Sequence, residues 1–316
     1  MTNKTLPRSG ILLLNKQAGL TSFDCIRRLK KILNRSDFGH GGTLDKFATG
    51  LLPVLFGDGL KLVRFFLENY PALATYWKSY SGVFEFGVST ATGDPEGEVL
   101  ERRDVTPGLL SIERVNEAMS SFVGAVYEQT PPLYSAKKVG GERASDITRD
   151  GRAVELKPVK VVIRRFECTG IVDNRISFIA ECSKGTYVRV LAQDLARKLD
   201  SVAHVVALRR DAVGSFMVDQ ALTIEQITEQ GETAILDMAT ATSFLPRFAL
   251  IGAESEQLSV GKVDGLAMRL ANSGLSASVY CAARADGQPA ALLELTPEKR
   301  VTFLRAFQIR SDSALN

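Results

Sequence analysis

Residues that bind metals or form cross-links are scarce in this chain of 316 residues. Four cysteines stand far apart without a CxxC pair, and two histidines are available to join them. This usage predicts neither a zinc site nor a disulfide framework, and it is typical of a reducing cytosol in which thiols stay free. We therefore expect a cytoplasmic protein without a metal. The cysteines and histidines are Cys25, Cys168, Cys182, Cys281, His40 and His204.

Long apolar segments are missing as well. The longest runs, such as residues 10–14 and 50–56, are far shorter than the roughly 20 residues that cross a bilayer. Residues 1–10 hold no apolar stretch of signal-peptide length, so we expect neither a membrane partner nor export. With 45% hydrophobic and 24% charged residues, the chain is able to bury a large core and is not expected to be disordered.

Positive charge is concentrated near the start of the chain. Residues 1–65 carry eleven lysines or arginines against four aspartates, a net charge of +7, which leaves −4 for the rest of the chain. Such a basic segment is able to attract a polyanion such as RNA. The alternative is an ordinary solvated helix face, and charge alone does not decide between the two.

The hydrophobic pattern of the first 35 residues predicts a strand followed by an amphipathic helix. Residues 10–15 form a short apolar run, and Thr21 or Ser22 is a suitable N-cap for the helix. Apolar residues then recur at helical spacing and are expected to face the core, with cations on the other faces. The apolar set is Phe23, Ile26, Leu29, Ile32 and Leu33, and the cations are Arg27, Arg28, Lys30 and Lys31.

Strands and helices further along do not alternate strictly, which favours an α+β fold. Helices are predicted at about 191–199 and 111–122, and residues 223–242 also look helical. A boundary near Leu245-Pro246 precedes a final segment of short strands, a small β-rich appendage. We therefore predict one domain over residues 1–243 and another over 244–316. Predicted strands are residues 80–88, 159–166, 175–182 and 186–190.

A glycine-dense loop carries the strongest chemical signal. Residues 39–57 read GHGGTLDKFATGLLPVLFG, which has neither the GxxxxGK[ST] spacing of a phosphate loop nor a GxGxxG fingerprint. The glycines allow backbone to approach a flat or charged ligand closely. They present one carboxylate, Asp45, which is either a helix N-cap or a reactive group. His40 suits hydrogen bonding or stacking better than metal ligation.

This loop resembles the GHxG(T/A)LDxxAxG signature of the bacterial tRNA pseudouridine-55 synthase family. The resemblance covers residues from about 10 to 220, as separate blocks in the same order. It implies a mixed, largely antiparallel sheet domain of pseudouridine-synthase type, followed by a C-terminal PUA-like domain. The similar blocks are residues 12–24, 78–80, 87–97, 131–138, 182–189 and 203–216.

The family resemblance implies an isomerase that converts uridine in the T arm of tRNA, at position 55, without a cofactor. It assigns Asp45 as the catalytic carboxylate, which attacks ribose C1′, attacks uracil C6 or assists a glycal route. Arg189 matches the arginine that would hold this carboxylate charged. Tyr80 matches a tyrosine that stacks on the uracil and is a candidate base at C5.

Further positions are implied to bind the substrate. Tyr187 and Leu208 match residues that line the uracil pocket, and His40 would lie near the nucleotide that is flipped out of its stack. Lys16 and the cations of the first helix are candidate phosphate contacts. We expect tRNA as the partner and a monomer as the oligomeric state.

Two other function classes stay open at this point. One is an RNA-binding module that keeps the fold without turnover, although such a module would not require Asp45, Tyr80 and Arg189 together. The other is an aspartate-nucleophile hydrolase of sugars, which needs a second carboxylate as general acid. Asp94 and Glu96 are available for that role, but their turn offers no evident pocket.

Overall fold

The computed structural model describes residues 9–68, 76–106, 108–134, 138–150 and 152–307. Residues 135–137, within one of the family-like blocks, lie outside the described residues. The strands are β1 (Gly10–Lys16), β2 (Phe38–His40), β3 (Thr49–Phe56), β4 (Lys78–Phe86), β5 (Val88–Thr90), β6 (Val99–Arg102), β7 (Val126–Gln129), β8 (Lys138–Val139), β9 (Glu142–Arg143), β10 (Val159–Val172), β11 (Arg175–Cys182), β12 (Ala203–Val213), β13 (Phe216–Met217), β14 (Arg247–Ala249), β15 (Ser278–Ala283), β16 (Pro289–Leu295) and β17 (Val301–Ala306).

The helices are short and lie between these strands. The α-helices are α1 (Ser22–Ile32), α2 (Val63–Leu67), α3 (Ile112–Ser120), α4 (Ala144–Arg149), α5 (Val188–Lys198), α6 (Ile224–Gln230), α7 (Met238–Ala241), α8 (Glu254–Ser259) and α9 (Asp264–Ala271). Short 3₁₀ turns occupy Gly57–Leu62, Val218–Gln220 and Gly231–Ala234. Among the described residues, no helix is long and apolar enough to cross a membrane.

A large mixed sheet forms the centre of the protein. Its strand order is β1-β3-β12-β4-β11-β10-β7, with β2 beside β3 and β13 beside β12. The pairs are antiparallel except for β3 with β12, which run parallel and meet at Gly50 and Arg210. Gly50 has φ +98°, and a Cβ there would meet the Arg210 carbonyl oxygen at 2.3 Å. Only glycine fits where β3 and β12 meet. The strand directions confirm the predicted α+β class with a largely antiparallel sheet.

A second, four-stranded sheet follows in the order β14-β15-β16-β17. One of its faces has its own apolar cluster, which includes Phe248, Leu270 and Leu293. The other contributes Val279 and Leu292 to a cluster that also contains β1 side chains. The small C-terminal sheet is therefore as predicted, while the boundary between residues 243 and 244 stays a prediction.

The segment around Tyr187 differs from its predicted structure. Residues 186–190 were expected to be a strand, but α5 begins at Val188 with Tyr187 as its N-cap residue. Val188, Leu191, Ala192 and Leu195 are buried at helical spacing. Burial along this stripe outweighs the strand preference of the β-branched residues in the segment, so the prediction was wrong.

Helix α1 forms as predicted and buries Ile26, Leu29 and Leu33 as expected, with one exception on the predicted face. Thr21 and Asp24 make a reciprocal capping box at its start. The buried stripe is Ser22, Cys25, Ile26 and Leu29, which leaves the Phe23 side chain outside. Phe23 is 69% exposed, so its assignment to the core face was wrong.

Candidate active site

The glycine loop between β2 and β3 presents Asp45. Its backbone is held at both ends, because the Gly41 N–H donates to the Pro53 carbonyl at 2.8 Å and the Ser22 hydroxyl accepts from the Leu44 N–H at 2.9 Å. Residues 45–48, all within the described part of the chain, form no helix before β3 begins, and this rules out the helix N-cap interpretation. The side chain is 36% exposed and is therefore accessible to a ligand.

Arg189, in the first turn of α5, contacts both oxygens of the Asp45 carboxylate through two nitrogens. Nε lies 2.9 Å from Oδ2 and Nη2 lies 3.1 Å from Oδ1. This two-point pairing fixes the plane of the carboxylate as well as its position. Burial raises the pKa of Asp45 above its usual range, and Arg189 opposes that shift. The guanidinium thus favours the ionised form of Asp45 and fixes the orientation of its carboxylate.

Asp94 is a second carboxylate that contacts the Arg189 guanidinium. The sequence indicated Asp94 only as a general acid for a hydrolase and did not predict this contact. Its Oδ2 lies 3.3 Å from Arg189 Nη1, and Arg189 also donates to the carbonyls of Thr92 and Tyr134 at 2.7 and 3.0 Å. Asp94 is 5% exposed and adds to the rise in the Asp45 pKa. The turn containing Asp94 therefore holds the Arg189 guanidinium in position through Asp94 and the Thr92 carbonyl.

Tyr80 and Arg210 face each other across β4 and β12, where they are register partners. Arg210 has no exposed surface. Its Nε donates to the Leu51 carbonyl at 2.7 Å, and its Nη2 donates to the Gly42 carbonyl at 3.0 Å. Burial raises the pKa of Tyr80 and Arg210 opposes the rise. One buried arginine thus binds the glycine loop from the strand position opposite Tyr80.

His40 and Lys78 complete the surroundings of the loop. His40 Nδ1 accepts from the Gly42 N–H at 3.3 Å, and burial, Arg210 and Lys78 all lower the His40 pKa. The imidazole is therefore neutral near pH 7, which suits stacking. Burial lowers the pKa of Lys78 to about 7, and its Nζ would lie 2.9 Å from a Cβ at Gly42. A side chain at Gly42, where φ is +136°, would displace this lysine.

Residues 30–188 match a family model described as the TruB family pseudouridylate synthase, N-terminal domain. The chain belongs to the TruB family. Pseudouridylate synthases isomerise uridine, so the chain is an isomerase. The matched residues include His40, Asp45, Tyr80 and Asp94, and Arg189 directly follows them.

Curated relatives agree over most of the chain. It is 38% identical over 267 residues to a protein of Gluconacetobacter diazotrophicus named tRNA pseudouridine synthase B, covering 82% of this chain and 84% of the relative. A protein of the same name from Nitrosococcus oceani is 41% identical over 226 residues, covering 72% of this chain and 70% of the relative. The expected family is confirmed.

Solved structures share the fold. A chain from an H/ACA RNP bound to a substrate RNA containing 2′-deoxyuridine matches with a TM-score of 0.67 and 19% identity, covering 95% of this chain and 86% of that one. A chain from a Cbf5-Nop10-Gar1 complex matches with a TM-score of 0.64 and 20% identity, covering 98% and 90%. At 19–20% identity, these matches support a shared fold and nothing further.

Lys16 of this TruB-family chain was predicted to contact an RNA phosphate, but its side chain is buried. It has no exposed surface, and its Nζ donates to the carbonyls of Gln17, Leu20 and Lys46 at 3.0, 2.6 and 3.2 Å. All three contacts are internal, so the arrangement does not fit the predicted contact with an RNA phosphate. Instead, Lys16 fastens the residue after Asp45 to the end of β1.

We expect Lys16→Met to loosen this attachment. The substitution conserves approximate volume but leaves three carbonyls without their donor, at a cost of about 1–3 kcal/mol in the free energy of unfolding. Urea denaturation measures that cost. The turnover number should fall as well, because Lys46 adjoins Asp45. Unchanged stability and turnover would show that the three hydrogen bonds are dispensable.

Tyr187 and Leu208 lie on the elements that carry Arg189 and Arg210. Gln129 accepts from the Tyr187 N–H at 2.9 Å and donates to its carbonyl at 3.2 Å, which fixes the start of α5. Leu208 is 7% exposed, on β12 two residues before Arg210. Each thus lies two residues from an arginine of the candidate site, and contact of either side chain with a uracil stays a prediction. Among the described residues, no group of three or more His, Cys, Asp or Glu side chains could hold a metal ion.

Proposed function

We propose that this TruB-family enzyme converts uridine to pseudouridine at position 55 in the T arm of tRNA. The observation that carries the proposal is the two-point Asp45–Arg189 pair, whose carboxylate contributes to the raised pKa of Tyr80. The relatives named tRNA pseudouridine synthase B support tRNA as the substrate. Cytoplasmic location, action as a monomer and a PUA-like role for residues 244–316 belong to the same proposal.

Isomerisation breaks the N1–C1′ bond and makes a C5–C1′ bond, so atoms balance without water, metal or cofactor. Attack at C1′ and attack at C6 both require an ionised carboxylate, and so does removal of the 2′ proton in a glycal route. Arg189 meets that requirement by keeping Asp45 charged while it is partly buried. Asp45 is accordingly the proposed catalytic residue, and Asp94 is a positioning residue for Arg189.

Tyr80 is the proposed partner of the uracil ring. Its aromatic face offers a stacking surface, and its hydroxyl is the candidate base that takes the proton from C5 while N1 of the product gains one. The positive charge of Arg210 stabilises the phenolate relative to the phenol and opposes the effect of burial on the Tyr80 pKa. Arg210 is therefore a positioning residue that also tunes this base.

The target uridine must leave its stack to reach Asp45, at a cost of a few kcal/mol. The neutral imidazole of His40, beside the loop, is the proposed stacking surface near the flipped nucleotide. Tyr187 and Leu208 are the proposed walls of the uracil pocket. The backbone of Tyr187 is held by Gln129 and Leu208 is buried in β12, which supports walls that are in place before RNA binds.

The proposal is tested by incubating the enzyme with an unmodified tRNA transcript and digesting the RNA to nucleosides. We expect one pseudouridine per tRNA, located at position 55, and no free uracil. Free uracil or cleaved sugar would favour the hydrolase alternative, with Asp94 as its acid. RNA binding without conversion would favour the binding-module alternative. A transcript with cytidine at position 55 is the matched substrate control.

RNA affinity should fall as salt is added, because binding releases the counterions of the phosphates that the enzyme neutralises. Each phosphate contact contributes about −0.7 to −0.9 to the slope of log K against log salt. Filter binding at several salt concentrations measures this slope. A flat response would contradict a phosphate-contacting role for the basic first segment.

A further inference from the structure

The exposed face of α1 carries an aromatic ring among cations. Phe23, Arg27 and Lys30 follow one another at helical spacing, and Lys31 lies beside Arg27 on the next turn. All four side chains are exposed, with Phe23 at 69%. Arg27 pairs with Asp24 at 2.9 Å on the surface. We call these four exposed residues, Phe23, Arg27, Lys30 and Lys31, the α1 face.

The α1 face is fastened directly to the catalytic loop. The Ser22 hydroxyl accepts from the Leu44 N–H at 2.9 Å and donates to the Leu44 carbonyl at 3.2 Å. Phe23 follows Ser22 in the chain and Asp45 follows Leu44. The Ser22 side chain therefore joins the residue before Phe23 to the residue before Asp45.

An exposed phenylalanine on its own needs no explanation, since soluble proteins expose many single apolar side chains. The surroundings make this one different. A flat ring suits stacking with an unpaired base of any sequence, while the neighbouring cations suit the phosphates on either side of that base. The nucleotides that adjoin an everted uridine pass close to Asp45, and they carry both features.

We propose that the α1 face binds the RNA strand next to the target uridine, with Phe23 stacked on the base of an adjoining nucleotide. This inference rests on the proposed function, because it takes the substrate to be RNA with an everted uridine at Asp45. It adds a contact outside the uracil pocket that holds the strand while the target base turns within the site.

The test compares the affinity of full-length variants for an unmodified T-arm stem-loop by fluorescence anisotropy. Phe23→Ala should weaken binding about fivefold to a hundredfold, the range that one stacked base supplies. Phe23→Trp should bind at least as tightly as the wild type. Val172→Ala is the matched control, because Val172 is 71% exposed at the end of β10, and its affinity should not change.

Two further readouts separate stacking from a general weakening of charge or fold. Phe23→Ala should raise KM and leave kcat at saturating RNA unchanged, and the salt slope should stay that of the wild type. The double substitution Lys30→Gln with Lys31→Gln should instead reduce the steepness of the salt slope, by about 0.7 to 0.9 for each phosphate that the variant no longer neutralises.

Wild-type affinity in Phe23→Ala would overturn the inference, and so would equal losses in Phe23→Ala and Phe23→Trp. Anionic phosphatidylserine vesicles test the alternative partner, a membrane surface. Phe23-dependent vesicle binding with unchanged RNA affinity would likewise overturn it. If the wild type binds the stem-loop through Phe23 but forms no pseudouridine, the proposed function fails while the α1 face survives as an RNA contact.

Discussion

Asp45→Asn is expected to abolish pseudouridine formation while leaving the fold and the RNA affinity intact. The amide keeps the shape of the carboxylate and one of its two acceptors for Arg189, but it neither attacks carbon nor accepts a proton. Removing the reactive group of a catalytic unit typically lowers kcat by roughly 10⁴-fold or more. Single-turnover conversion of an unmodified tRNA transcript measures the loss.

Because Asp45 is partly exposed, the comparison of Asp45→Asn with the wild type should report on chemistry rather than on folding. Its substitution leaves the loop contacts of Gly41 and Leu44 in place, so thermal unfolding should match that of the wild type. Conversion within tenfold of the wild-type rate would show that another group performs the chemistry. Asp94 is the only other carboxylate that contacts Arg189 among the described residues, so Asp94→Asn is the matched companion variant.

Arg189→Gln is expected to have the second largest effect, and its pH dependence shows the cause. Without the guanidinium, Asp45 and Asp94 share a partly buried site with no cation between them, so the Asp45 pKa rises further. The active ionised form is then lost at higher pH. The acid limb of the rate profile should shift upward, with a rate loss of roughly 10²–10³-fold at neutral pH that diminishes as the pH rises.

Arg189→Lys is the control for charge without geometry. Lysine restores the cation but not the two-point contact, so it should return the acid limb toward the wild-type position while recovering only part of the rate. A uniform loss in both variants, with an unmoved acid limb, would show that Arg189 acts through the structure of α5 rather than through the charge of Asp45.

The sequence predicted the residues of the candidate site better than the residues that support them. The glycine loop, Asp45, Tyr80 and Arg189 stood in recognisable local blocks, and the structure brings them together. Arg210 could not be found this way, because its contacts with Gly42, Leu51 and Tyr80 depend on the register of β3, β12 and β4. Strand register across a mixed sheet is a tertiary property that periodicity does not encode.

Lys16 and Phe23 show the same limit for burial. A lysine at the end of a strand is normally exposed, but here three backbone carbonyls compensate its desolvation. Phe23 occupies an apolar-looking position, yet the smaller Ser22 and Cys25 take the buried stripe of α1. Lys46, which accepts from Lys16, and Leu44, which bonds Ser22, both lie in a distant segment, so composition and spacing alone predicted the opposite exposure for Lys16 and Phe23.

The most direct measurement is a crystal structure of Asp45→Asn bound to an unmodified T-arm RNA. We expect an everted uridine whose C1′ or C6 lies within about 3.5 Å of the substituted side chain, the distance of a near-attack geometry. The Tyr80 ring should stack on its uracil, and Arg189 should still hold position 45. A uridine that stays in its helical stack, or that enters a pocket remote from position 45, would contradict the assignment of Asp45 as the catalytic carboxylate.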